Sequence, residues 1–430
     1  MSDPKQDAET AGLRGAFWDV DKPVPSDVPL SVHPLRTHDG SVISAFLYAR
    51  GNEKVAAVLM HPREHIVAYY LASELTRQGM AVCLPTPRLV GNDIRLEHET
   101  ALLDVAAAVS FLKARGYEKI VLVGNSGGGP LFAFYNQQAL LAPEKRLTRT
   151  PAGKPVPLAE AEMIPPDGMV FVSTHMGQGK LLMNGIDPSV IDENDPINVD
   201  PALDPFNPDN GFSAKGASYA PDFIERYRAA QVERVRRLDE MAKEMVATRL
   251  AARKRAKDGG TRVDRLEAAH TPIFTVWRTD ADLRCWDLSL DPSDRKLGSL
   301  WGARPAVSNL GSIGFGRMCT ADSWLSTWSG LSSNALIEKC VPAIEQPTLF
   351  IEYTGDASTF PEETDAMFSW IGTSDKDRVK IPGDHHGRRI HEGDPNPRPL
   401  VGKAVGEWLD GHFSGAGTSS NSIKEPSHAS

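Results

Sequence analysis

The chain has 430 residues, with 47 Lys and Arg against 56 Asp and Glu and a formal net charge of −9. Hydrophobic residues make up 41% and charged ones 24%, ordinary globular values that exclude wholesale disorder and a collagen-like repeat. The acidic balance argues against a nucleic-acid groove or an anionic membrane surface as the main partner. No apolar run reaches the roughly 18 residues of a membrane-crossing helix. Four cysteines, without C-x-x-C or regular spacing, read as reduced thiols and not as a disulfide scaffold. The start, MSDPKQDAET, lacks the basic and apolar regions of a secretory leader, so a cytoplasmic protein is expected.

Residues 1–29 are expected to be an N-terminal extension. From Leu30, LSVHPLRTHDG and SVISAFLYARG read as a hairpin turning at Asp39-Gly40. KVAAVLMHP is a short continuous apolar run, the pattern of a strand buried on both faces. HIVAYYLASELTRQG is an amphipathic helix that stops at Gly79. The alternation continues with the strand MAVCLPTP, the helix RLEHETALLDVAAAVSFLKARG, the strand KIVLVG, the helix GGPLFAFYNQQALLAP and a sixth strand, GMVFVSTH. This order predicts a mostly parallel sheet with helices on both faces, an α/β fold.

The alternation stops over residues 176–346, which are rich in loop chemistry and hold one long helical stretch from Pro221 to about Asp258. Its closing run of Arg249, Arg253, Lys254, Arg255 and Lys257 suits the negative end of a helix dipole and reads as a solvated helix end. After Pro347 the grammar returns: strand TLFIEYTG, helix PEETDAMFSWIG, strand RVKIPG and helix RPLVGKAVGEWLDGHF. Residues 30–175 and 347–413 therefore form one α/β domain, with 176–346 inserted as a mainly helical cap. Residues 414–430 are small and polar and are expected to form a disordered tail.

The sharpest chemical signal is Gly124-Asn125-Ser126-Gly127-Gly128, which fits G-x-S-x-G between a strand and a helix. A serine at such a turn is forced into a strained conformation that lifts its hydroxyl clear of the sheet. The competing reading is a phosphate-binding loop, but neither G-x-x-x-x-G-K-[ST] nor G-x-G-x-x-G occurs. With this motif in this place, residues 30–175 and 347–413 resemble the α/β-hydrolase superfamily. The insertion falls after the sixth strand, where that family commonly carries its cap.

The resemblance implies a chain order of nucleophile, acid, histidine. Asp356 lies nine positions after Pro347, as in the family's P-x-L-x-x-x-G-x-x-D, although Tyr353 holds the place of the glycine. Glu352 is a second acid, but lies within the strand. In Gly383-Asp384-His385-His386-Gly387 the common spacing G-x-x-H selects His386, with His385 as the alternative. For the oxyanion hole, one backbone donor should be Gly127. Pro62 has no N–H, which leaves Arg63 as the other. His61 is expected in a structural hydrogen bond, and His175, at the end of the sixth strand, is a pocket candidate.

Five of the eight tryptophans (Trp277, Trp286, Trp301, Trp324 and Trp328) crowd into the insertion, either as a small core of the cap or as aromatic walls of a pocket. There is no H-E-x-x-H and no Cys/His cluster, so neither a metal nor a cofactor is expected. The expected activity is hydrolysis of a carboxylic ester or lactone, with a bulky or aromatic substrate. Hydrolysis of a carbon–carbon bond (in a diketone or ring-fission product), a thioester or an amide is the alternative on the same fold. A non-catalytic, ligand-binding homologue is the third reading. The expected partner is a small-molecule substrate, with no nucleic acid and no membrane; self-association stays open.

Overall fold

The computed structural model describes residues 23–413 apart from 68, 92 and 313. Most of the expected extension, up to residue 22, and the expected tail from 414 lie outside the described residues. The hairpin is present as β1 (Leu30–Arg36) and β2 (Val42–Tyr48), turning through Gly40 at φ +84°. There follow β3 (Val55–Leu59), α1 (Tyr70–Arg77), β4 (Ala81–Pro85), α2 (His98–Ala114), β5 (Lys119–Asn125), α3 (Gly128–Leu140) and β6 (Gly168–Val172). The chain then leaves this sheet. It returns to it with β11 (Thr348–Tyr353), α10 (Pro361–Trp370), β12 (Lys376–Ile381) and α11 (Pro397–Phe413).

The eight strands order as β1-β2-β4-β3-β5-β6-β11-β12. β2 is antiparallel to both its neighbours, and every other pairing is parallel. Side chains of the central strands alternate between two cores. Ile120, Leu122, Met169 and Phe171 face α2 and α3. Val121, Val123, Val170 and Val172 face Leu71, Leu75, Val401, Val405 and Trp408 of α1 and α11. Burial on both faces is why these strands read as unbroken apolar runs, each large side chain contributing about 1.5–3 kcal/mol as an upper estimate.

The excursion between β6 and β11 contains α4 (Gln178–Gly185), the ribbon β7 (Val190–Asp192) and β8 (Asp195–Val199), α5 (Pro221–Lys257) and α6 (Arg262–Ala269). It continues with β9 (Ile273–Thr275), α7 (Pro305–Leu310), β10 (Met318–Thr320), α8 (Ala321–Ser323) and α9 (Ile337–Cys340). α5 is the long helix expected from the sequence. Val235, Leu238, Ala242 and Val246 on its inner face pack on Leu182, Trp324 and Trp328, giving the cap a core of its own. Arg234, on the same face, is fully buried: it pairs with Glu193 through two nitrogens and donates to the carbonyls of Asp187 and Trp277. At the basic end, Arg255 pairs with Asp264 and Glu267 of α6.

One boundary differs from expectation. The helix read from His65 begins only at Tyr70, because the preceding segment is held as a loop over the end of β3. Arg63 grips Asp93 with two nitrogens, each at 2.9 Å, and its carbonyl accepts from Gly91. No helix among the described residues is long and apolar enough to cross a membrane. The four cysteines are buried and unpaired.

The tightest packing lies where α3 meets the sheet. A Cβ on Gly129 would lie 1.7 Å from Thr174 Oγ1, whereas one on Gly411, near the end of α11, would meet nothing within 4 Å. Gly129→Ala is therefore expected to destabilise the protein by at least about 1–3 kcal/mol. Gly411→Ala should be neutral or gain up to about 1 kcal/mol from helix propensity. Chemical denaturation of the two variants beside the parent checks this; equal stabilities would contradict the packing described.

Candidate active site

In a mostly parallel sheet the loops at the carboxyl ends of the strands meet over one edge, and the crevice opens where the strand order reverses. Here that edge collects Met60–Glu64 after β3, the turn after β5, Ser173–Gly177 after β6, Gly355–Asp356 after β11 and Asp384–His386 after β12.

Ser126 sits at the turn between β5 and α3 with φ +49°, in the left-handed region that a non-glycine residue rarely occupies. Its neighbours explain why it stays there. A Cβ on Gly124 would lie 2.6 Å from Gly129 Cα, and one on Gly128 would lie 2.4 Å from the Met60 carbonyl. Only glycines let the helix come this close to β5 and β3. The serine's own backbone is tied to the adjacent strand: its N–H donates to Val172, and its carbonyl accepts from Thr174 Oγ1 at 3.1 Å.

The loops after β11 and β12 bring a carboxylate and an imidazole to the serine. Gly355 N–H donates to the Gly383 carbonyl at 2.9 Å, joining the two loops. Tyr353, in the place where a glycine was expected, fills the space beneath the histidine loop. A Cβ on Gly383 or Gly387 would lie 3.0 or 2.7 Å from its side chain, so these glycines let the loop pass over the ring. Between them Asp384 and Gly387 close a tight turn through a 2.9 Å hydrogen bond, with Gly387 at φ +67°.

That turn aims His385, not His386, at the serine. His385 Nε2 is 3.1 Å from Ser126 Oγ, and its Nδ1 is 2.8 and 3.0 Å from the two oxygens of Asp356. His386 stands perpendicular to His385, ring centroids 5.3 Å apart, with its backbone N–H on Asp384. The spacing G-x-x-H thus selects the wrong neighbour by one residue, because the tight turn, and not the count from Gly383, sets which ring points inward. Asp356, the acid expected from the sequence, is the carboxylate that faces His385 Nδ1. Glu352 is engaged instead with Arg378 and Lys380 on β12.

Asp356 is 1% exposed and has a full set of donors. The Ser358 and Thr359 N–H groups reach one oxygen, at 2.7 and 3.1 Å, and the Thr359 hydroxyl reaches the other at 2.7 Å. The Ser173 hydroxyl also donates to Asp356, and its oxygen lies 3.0 Å from His385 Nδ1. Burial alone would raise the carboxyl pKa. The charge of His385 and these hydrogen bonds outweigh it, and the pKa is held below the ordinary value. For His385 burial acts downward, but the Asp356 charge and hydrogen bond prevail and raise its pKa. His386 is pushed down to about 3, mainly by burial and then by the charge of His385.

The remaining candidates fall as follows. Arg63's backbone N–H donates to His61 Nδ1 at 3.3 Å, and its guanidinium lies over the Trp328 ring at 5.1 Å. His61 is buried, and burial lowers its pKa to about 4. His175 is buried three residues past the end of β6, its Nδ1 accepting from Gly177 N–H at 3.1 Å. A cleft of about 170 Å³ borders His385 between the cap segment 296–300 and the loops after β11 and β12. Its walls include Leu297, Leu300, Ala357 and Ile390, and none of the five cap tryptophans.

Trp286, Trp324 and Trp328 are buried in cores of the cap. Trp277 stacks under Arg317, and Trp301 meets Phe315 edge-on. The expectation of a tryptophan-walled pocket does not hold for this cleft, because the large rings are consumed in giving the inserted segment an interior. Several polar side chains at the site escaped sequence reasoning: the Ser173 and Thr359 hydroxyls on Asp356, Thr174 Oγ1 on the Ser126 carbonyl, and Gln178 beside Gly127. Ser173 and Gln178 both follow the fully apolar strand β6, and a polar run at that position is the signal that could have flagged them.

No family model matches the chain, and no curated protein matches it. Among solved structures it is similar to DcsB in complex with its substrate analogue, at 13% identity over 90% of this chain and 100% of that one, TM-score 0.48. It is also similar to the Pyrococcus furiosus esterase Pf2001, at 11% identity over 91% and 96% of the two chains, TM-score 0.42. The alpha/beta hydrolase GrgF from Penicillium sp. sh18 stands at 13% identity over 90% and 100%, TM-score 0.46. At these identities and scores none of them bears on what this chain does. The fold is carried by the chain's own strand order, its antiparallel second strand, the strained serine after β5 and the excursion after β6: it is the α/β-hydrolase fold with a large, mainly helical cap.

Proposed function

We propose that this chain is a serine hydrolase that cleaves a carboxylic ester or lactone through an acyl-enzyme. The observation that supports it most is the unbroken line of hydrogen-bonding atoms from Ser126 Oγ through His385 to the buried Asp356. Each contact lies within the reach that proton transfer needs. As Ser126 Oγ attacks the substrate carbonyl, His385 Nε2 takes its proton. Asp356 keeps the other ring proton on Nδ1 and stabilises the imidazolium that forms. The tetrahedral intermediate collapses, and His385 returns the proton to the leaving alcohol. Water then gives a proton to His385 and its oxygen attacks the acyl carbon, which releases the acid and restores Ser126.

Ser126, the imidazole that touches it and the carboxylate behind that ring suit an acyl group whose leaving alcohol takes up a single proton.

Ser126→Ala should lose on the order of 10³-fold or more in kcat on the best p-nitrophenyl or lactone substrate, while the fold survives the loss of one oxygen. His385→Ala should match it, and His386→Ala should lose far less. Near-parental activity of Ser126→Ala, or a larger loss at His386 than at His385, would overturn the assignment.

The pH profile gives a separate check. Only neutral His385 can accept the proton, so kcat/KM should fall as pH drops through its pKa. Because that pKa is raised, the limb should lie above the ordinary histidine value of 6.5. Asp356→Asn removes the charge that raises it and the partner that fixes the ring. The limb should then move to lower pH, and kcat should fall by on the order of 10⁴-fold. A limb that stays in place in Asp356→Asn would show that another group titrates.

A further inference from the structure

Beside Ser126 the backbone cannot supply the usual second donor: Pro62 has no N–H, and the Arg63 N–H is directed at His61 Nδ1, 3.3 Å away. Two side chains stand there instead. A Cβ on Gly127, the residue after the serine, would lie 2.7 Å from His61 Nε2 and 2.7 Å from Gln178 Nε2. Both nitrogens therefore press against the residue whose own N–H is the expected first donor.

Their chemistry suits donation. A neutral imidazole that accepts at Nδ1 carries its proton on Nε2. His61 does accept at Nδ1, and burial keeps it neutral down to about pH 4. The Arg63 N–H thus acts at one remove, by fixing the tautomer of the ring in front of it. Gln178 opens α4, which the loop after β6 aims at the serine, and it is 2% exposed. Among the described residues the His61 ring has one hydrogen bond, the one it accepts at Nδ1, and the buried Gln178 Oε1 lacks a partner. An imidazole Nε2–H and an amide Nε2–H that stand beside the residue after the serine are placed to serve an acceptor that arrives with the substrate.

We propose that His61 Nε2–H and Gln178 Nε2–H, together with the Gly127 backbone N–H, donate to the substrate carbonyl oxygen as it becomes an alkoxide. Side chains thereby replace the second backbone donor. The assignment rests on the serine-hydrolase reading above. The negative charge that develops on that oxygen when Ser126 Oγ attacks is held by three neutral donors, and it is released when the carbonyl re-forms and the alcohol leaves. No proton is transferred from either side chain.

The test compares four variants with the parent on p-nitrophenyl butyrate, alongside Ser126→Ala. Gln178→Met keeps the length of the side chain without its donor. His61→Asn keeps an acceptor for the Arg63 N–H but loses the far donor, and His61→Gln keeps a donor at the far position. Gln178→Glu replaces the donor by a charge that repels the alkoxide. Removal of one such donor typically costs 10²–10³-fold in kcat. Gln178→Met and His61→Asn should each lose about 10²-fold in kcat, with KM within about twofold of the parent.

Gln178→Glu should lose more, and His61→Gln should recover part of what His61→Asn loses. Inhibition by a trifluoromethyl ketone, which adds Ser126 to form a stable alkoxide, should weaken in proportion. A purely structural role would instead lower the melting temperature and leave kcat and the inhibitor constant together near the parent. Either that pattern, or losses confined to KM, overturns the donor assignment alone. Turnover that survives Ser126→Ala overturns the serine-hydrolase reading and this assignment with it.

Discussion

The close approach of α3 to β5 and β3 is the constraint on which the rest of the site depends. Three glycines permit it: added Cβ atoms at Gly124, Gly128 and Gly129 would meet backbone or side-chain atoms at 2.6, 2.4 and 1.7 Å. With the helix packed so tightly, the one residue that must turn the chain takes a left-handed conformation, and that residue is Ser126 at φ +49°. Such strain costs on the order of 1–3 kcal/mol and persists only where surrounding packing over-determines it. The two-faced sheet core supplies that packing. Every other group at the site is positioned relative to this hydroxyl by a loop that leaves the same edge of the sheet.

Charge at this edge is controlled by burial and by where the carboxylates lie, Asp356 first among those that act on His385. Four imidazoles crowd the site. Burial pushes His61 to about 4, His386 to about 3 and His175 well below the ordinary range. His385 is as buried as they are, yet its pKa is raised, because Asp356 stands against its Nδ1. Asp356 in turn stays ionised in the interior because backbone N–H groups and the Ser173 and Thr359 hydroxyls saturate it. Of these four rings, His385 is the one whose pKa lies above the ordinary histidine value. The neighbours remain neutral donors and acceptors, the state a site needs when it must stabilise negative charge without competing for the proton.

The sheet was legible in the amino-acid sequence because each central strand is buried on both faces and α1 and α2 are each followed by a glycine, Gly79 and Gly116. The serine was legible for the same reason that it is strained: only glycines fit around it, and glycine spacing survives in the sequence. Asp356 followed from its distance after the start of β11. The count from Gly383 points to His386, whereas the ring that reaches Ser126 belongs to His385, since a count says nothing of the Asp384–Gly387 turn that rotates His385 inward. α1 begins later than its apolar period suggests, because the Arg63–Asp93 pair pins the chain before it. The cap is the least legible part. Its tryptophans mark an interior that the period of α5 implies but does not delimit, and the buried Arg234 is visible only once Glu193 and the carbonyls it meets are known. Ser173 and Gln178 are ordinary polar residues whose meaning comes from the loop that carries them.

The most direct measurement of the central claim is covalent. A fluorophosphonate reacts at a serine only when a neighbouring base activates it and donors stabilise the oxyanion-like adduct. The purified protein should take up one phosphonyl group per chain. Peptide mass spectrometry should find it on the fragment that carries Ser126, and His385→Ala should abolish the uptake. Uptake at another residue with Ser126 unmodified, or no uptake by the folded protein, would contradict the account.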